Sequence, residues 1–163
     1  MPELEFSRGR WLPSVLRVNG RLRLEILGGA DGLGSVRRFT VPVSEQHVAR
    51  IRDDLPRHVL ARAALIPLCY AAGSLKPLDE PAAVRLLDTV LYGDEAELDA
   101  VFRAVSWDSR CALIAHGANP ALLDAGKMLA AARSVSAVPS WDRVREYMES
   151  QQPPGADSGP LRH

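Results

Sequence analysis

Cysteine is scarce: Cys69 and Cys111 are the only two in 163 residues, 42 positions apart and without a Cys-x-x-Cys spacing. That excludes a disulfide-dense scaffold and the common zinc-site patterns, and leaves buried free thiols as the expectation. Long apolar runs are missing too. The longest, Ala63 to Gly73, is about half the ~20 residues that a membrane-spanning helix needs, and Pro67 interrupts it. Met1 to Arg10 has no apolar core behind a basic start, so no secretory signal is read there and a cytoplasmic location is expected. Net charge is also lacking, since twenty Lys and Arg balance twenty Asp and Glu. This argues against the basic field of a nucleic-acid or anionic-membrane binder. Neither a Gly-x-Ser-x-Gly elbow nor a His-Glu-x-x-His helix occurs, which removes the best-marked hydrolase and metalloprotease readings.

What is present reads as one globular domain over residues 1–150. Hydrophobic residues make up 47% and charged residues 25%, which excludes global disorder. Charge is balanced overall but not locally: residues 1–78 carry net +5, residues 79–125 net −6 and the remainder +1.

Residues 3–43 alternate with the period of half-buried strands. Asn19-Gly20 suits a type I′ hairpin turn, where both central residues need positive φ. Such a turn sets Arg17 opposite Leu22, Val15 opposite Leu24 and Pro13 opposite Ile26, which places Trp11, Pro13 and Val15 on the apolar face. Leu4 with Phe6, and Phe39 with Val41 and Val43, supply two more alternating segments. A four-stranded antiparallel meander is predicted.

Helical periodicity takes over from Ser44 to about residue 150. Val48, Ile51, Leu55 and Val59 form one stripe, and Pro56 and Pro67 are expected to kink or break the run to Gly73. Asp79, Asp94, Asn119 and Ser140 read as N-caps and Gly93 as a helix end. Residues 108–116 fit a short helix better than a strand. One helix is expected from Asn119-Pro120 to about Arg133, and a last one with Trp141, Val144 and Met148 on its buried face. The Pro- and Gly-rich residues 151–163 have little to bury and are expected to be a disordered tail. Strands followed by helices make the fold class α+β, with the helical part packed on one sheet face.

Each candidate for chemistry has a plain alternative. Gly28, Gly29, Gly32 and Gly34 lack the spacing and the following helix of a phosphate loop, so a hairpin loop is the better reading. His47 and His58 lie about 16 Å apart along a helix, too far to share a metal, and Asp54 with His58 lacks a third ligand. No metal or cofactor is expected. Arg21, Arg23, Arg37 and Arg38 read as a solvated sheet face rather than a phosphate or nucleic-acid surface. His116, near Asp108 and Asp124 in sequence, is the one candidate general base, and its alternative is a residue at a helix end. Glu95, Glu97 and Asp99 form an acidic cluster able to steer a basic partner, or to complement a helix dipole.

Ala112-Leu-Ile-Ala-His-Gly-Ala-Asn119 followed by Pro120 resembles the end of an ankyrin repeat, but no Thr-Pro-Leu-His precedes it and no second copy exists. A wider resemblance rests on Trp11-Leu-Pro-Ser-Val15, Leu65-Ile-Pro-Leu-Cys69, Leu78-Asp-Glu80 and Ala115-His-Gly-Ala118. By these the chain resembles an uncharacterised family of small proteins from high-GC bacteria with no assigned activity, so no functional residue carries over. The resulting expectation is a non-enzymatic, cytosolic protein-interaction or regulatory module of an immunity or partner-binding type, without a cofactor, whose partner is another protein. A small enzyme or small-molecule-binding protein with a pocket around His116, between sheet and helices, is the alternative.

Overall fold

The computed structural model describes residues 1–28 and 37–151. The remaining glycines of the Gly28 cluster and nearly all of the tail expected to be disordered lie outside the described residues. Four antiparallel strands, β1 (Glu3–Phe6), β2 (Ser14–Val18), β3 (Arg21–Gly28) and β4 (Arg37–Pro42), are ordered β1-β2-β3-β4. Asn19 at φ 52° and Gly20 at φ 78° make the hairpin turn. Val15 then pairs with Leu24 and Arg17 with Leu22, the expected register. Val15, Leu22, Leu24, Ile26, Phe39 and Val41 are all buried on the helix side of the sheet.

Alternation misleads where the ladder ends. Trp11, expected on the apolar face, is exposed and Leu12 is buried instead. The chain turns through Gly9 at φ 106° and enters β2 only at Ser14, so the two-residue period does not reach Trp11. In β1 the register shifts between Leu4 and Phe6, which leaves Leu4 in solvent while Phe6 packs on the core.

Among the described residues eight helices follow: α1 (Glu45–Asp53), α2 (Leu55–Ala72), α3 (Glu80–Tyr92), α4 (Glu95–Val101), α5 (Trp107–Ala115), α6 (Pro120–Asp124), α7 (Met128–Ala132) and α8 (Trp141–Ser150). Ser44, Asp54, Asp79, Asp94, Ser106 and Asn119 each accept a backbone N–H at a helix start. The single helix expected from Pro120 to Arg133 is instead two, because Gly126 takes φ 76° between them. On α8 the buried residues are Val144 and Tyr147, and Trp141 and Met148 are about half exposed. Val144 lies on the expected face, but the side that packs against α5 turns toward Tyr147 and away from Trp141 and Met148.

Helix α2 is the hub, packed against α1, α3, α5, α7 and β3. Its apolar residues accordingly surround it rather than forming a stripe. The chain breaks at Asp54 so that Pro56 sits in the first turn of α2, where its missing N–H costs nothing. Pro67 lies inside the helix and leaves the Ala63 carbonyl without its usual donor. The Ser109 hydroxyl on α5 donates to that carbonyl at 2.7 Å and is itself buried. One core cluster runs from Leu12 to Tyr147.

Candidate binding site

His116 stands at the C-terminal end of α5 and is fully buried. Its Nδ1–H donates to the Ser136 carbonyl at 2.8 Å, while Nε2 has no hydrogen-bond partner among the described residues. Burial lowers its pKa, partly offset by the bond to Ser136, and the nearby Arg62 and Arg143 lower it further. The imidazole is therefore neutral at pH 7. Neither carboxylate near it in sequence orients it: Asp124 pairs with Arg110, and Asp108 is in the first turn at the other end of α5. His116 itself lines none of the cavities described below, although its neighbours Ile114, Gly117 and Ala118 line another of about 490 Å³ together with Arg143 and Tyr147.

The other described histidines are similarly engaged. His58 is buried, donates from Nε2 to the Pro13 carbonyl at 2.8 Å and accepts from Arg8 at Nδ1. Burial drives its pKa down to about 4. His47 accepts the Ser44 N–H at Nδ1 and bonds Asp88 through Nε2. Asp54 caps α2 and pairs with Arg57, not with His58. Among the described residues no three His, Cys, Asp or Glu side chains converge as a metal site would require.

The acidic cluster divides. Glu95 pairs with Arg133 at 3.1 Å, and Asp99 accepts the Met128 N–H at 2.9 Å, supplying the start of α7 with an oxygen from α4. Glu97 is exposed. The sheet arginines are also employed: Arg23 bonds Thr40 and Glu80, Arg37 reaches the Gly73 and Lys76 carbonyls, and Arg38 meets Glu25 at 3.5 Å.

An open cavity lies beside the end of the sheet. Where β2 stops at Ser14, β3 continues to Gly28, and the gap beside it opens into a cavity of about 660 Å³. Its walls include Arg10, Trp11, Glu25, Leu27, Arg38, Arg62 and Tyr70. A smaller cavity of about 190 Å³ shares Leu27, Gly28, Arg62 and Tyr70 and extends to Cys69, Cys111, Asp108 and Trp141. The two adjoin at these shared residues and are together called the trough.

Helix α2 supplies the floor: Arg62, Ile66, Cys69 and Tyr70 recur at helical spacing and project from one side. Trp11, Leu27, Tyr70 and Trp141 are 37%, 41%, 52% and 52% exposed, so apolar and aromatic area lines the trough without being covered. The Arg10 guanidinium lies 4.7 Å from the Trp11 ring centre. Arg62 is half-buried, and its guanidinium makes no hydrogen bond or ion pair among the described residues. Burial lowers its pKa from the ordinary arginine value, but a guanidinium remains charged. Burial pushes the Cys69 thiol up to about 11 and raises that of Cys111, so neither is an activated nucleophile.

Sequence reading passed over Arg62. The available signal was an arginine between Ala61 and Ala63 in the otherwise apolar stretch of α2 that follows His58.

Fold and site together define a small α+β protein with an arginine-floored aromatic trough at the open end of its sheet. The chain belongs to a family of unknown function, DUF6357, whose family model matches residues 1–159. No curated protein and no solved structure matches it. No described helix is long and apolar enough to cross a membrane.

Proposed function

We propose that the protein is a non-enzymatic, cytosolic protein-interaction module, and that the trough between Trp11 and Trp141 is its binding face. The observation that carries this is Arg62: a half-buried cation without a partner among the described residues, surrounded by exposed aromatic side chains. Tryptophan, tyrosine and arginine are the residues that dominate binding energy at protein interfaces. An unpaired guanidinium in such a place favours an anionic group on the partner. The Arg-over-Lys and Ala-rich composition supports a source among high-GC bacteria.

Quantitative pulldown from a native lysate tests this when wild type is compared with Tyr70→Ala/Trp141→Ala, both exposed positions. Proteins held by wild type should fall about tenfold or more in the variant, the loss expected for hot-spot truncation. Equal capture by both proteins, or capture no greater than a blank resin, would overturn the reading. A second reading is a small carboxylate or phosphate ligand, favoured by the cavity volume of about 660 Å³, which lies in the range of small-molecule sites. Native mass spectrometry of the purified protein would reveal such a ligand as an added mass.

A further inference from the structure

We propose that the partner enters the trough as an extended acidic segment, adding a short strand in line with β2 that pairs with the backbone of Leu27 and places a carboxylate on Arg62. This rests on the interaction reading above and specifies how the trough recognises its partner.

The backbone argument comes from strand alternation. Val43 N–H donates to the Leu22 carbonyl, so the peptide groups of Leu22 face β4, and with a period of two so do those of Leu24 and Ile26. Those of Arg21, Arg23, Glu25 and Leu27 face the β2 side. Arg21, Arg23 and Glu25 meet Val18, Leu16 and Ser14 there. Leu27 would meet Leu12, but the chain has already turned and buried the Leu12 side chain in the core. No described backbone group bonds Leu27 on that side. A strand edge with an unused N–H and C=O is a template for another extended chain.

The side chains argue for the charge of the occupant. Arg62 faces this gap from α2, and Arg10 and Arg38 stand at the same cavity with Glu25, which meets Arg38, as the one carboxylate among the described residues of its wall; Asp108 lines the adjoining cavity. A guanidinium fork binds a carboxylate through two parallel hydrogen bonds. Trp11 and Tyr70 offer apolar faces to the neighbouring side chains of the same segment.

The test is selection of a random dodecapeptide phage library on the full chain, followed by NMR with a synthetic peptide from the selected set. Selected sequences should carry Asp or Glu among β-branched or aromatic residues. Binding should shift the Trp11 and Trp141 indole N–H signals and slow exchange of the Leu27 amide by about tenfold or more. Replacing the peptide's acid by its amide, or Arg62→Met in the protein, should weaken binding by about tenfold. The peptide change keeps the charge claim testable even where the protein variant folds poorly. Failure to select any binder, selection of peptides without an acid, or an unprotected Leu27 amide would overturn the proposal. Indole shifts without Leu27 protection would reject strand addition while leaving the trough as interface. Unmoved indoles, together with partners retained by Tyr70→Ala/Trp141→Ala, would reject the interface itself.

Discussion

The basic first stretch and the acidic middle stretch use their charges on opposite ends of the helices. Arg8 donates to the Ile51 and Arg52 carbonyls at the end of α1, Arg37 to carbonyls beyond α2, and Arg50 and Arg57 to carbonyls at the end of α3. These bonds join residues 33 to 44 positions apart. Each guanidinium satisfies carbonyls that the helix leaves over, at the end where the dipole favours a cation. The acids accept instead: Asp79 and Asp94 take N–H groups three residues on and Asp99 takes that of Met128, 29 residues away, while Glu80 meets Arg23 and Glu95 meets Arg133, 57 and 38 positions distant. Charge segregation along the chain is thus partly a division of labour between closing helix ends and starting helices. Arg62 stands apart from both patterns, since no described group uses it.

The largest effect is expected from Arg57→Met, which leaves the Val90 and Gly93 carbonyls without their buried donor. It should cost about 4 kcal/mol in denaturant unfolding, at 1–3 kcal/mol for each unsatisfied carbonyl. A cost below about 1 kcal/mol would mean that water replaces the guanidinium, and the long-range role of the basic stretch would lose its energetic basis.

Acid should act next most strongly, through His58. The unfolded imidazole takes a proton near pH 6.5 and the folded one only at about pH 4, so its contribution is fully present above 6.5 and is lost as pH falls to 4. At about 1.4 kcal/mol per pH unit the loss comes to about 3 kcal/mol, and His116, also lowered by burial, acts in the same direction. Urea unfolding across this range, with an NMR titration of His58, provides the measurement. A folded His58 that titrates near 6.5 would contradict it.

Ser109→Ala should cost about 2 kcal/mol, because it strands the Ala63 carbonyl that Pro67 already deprived of a donor. Restoring an N–H with Pro67→Ala should reduce that cost, so a double-mutant cycle isolates the coupling. Additive costs would show that the two residues are independent.

The smallest effects separate members of the acidic cluster. Asp99→Ala removes the oxygen at the start of α7 and should cost about 1 kcal/mol, whereas Glu97→Lys should stay within about 0.5 kcal/mol. Equal thermal shifts for the two would erase the distinction between structural and free acids.

Local chemistry was enough to read the hairpin, the sheet order, most helix starts and the α+β class from the sequence. A type I′ turn, an N-cap or a period of two is decided by residues within a few positions of one another, as Asn19-Gly20 and Asp79 show. The reading failed where a local rule met a distant partner or ran past its element. Trp11 left the ladder, Gly126 divided a helix, and the buried side of α8 was fixed by what α5 presented to it. The trough was illegible for the same reason: Arg10, Arg62 and Trp141 lie far apart in sequence, and only packing α2 against a sheet whose second strand stops short brings them to one opening. That an arginine lies in α2 is written in the sequence; that it lacks a partner among the described residues depends on every neighbour that could have reached it.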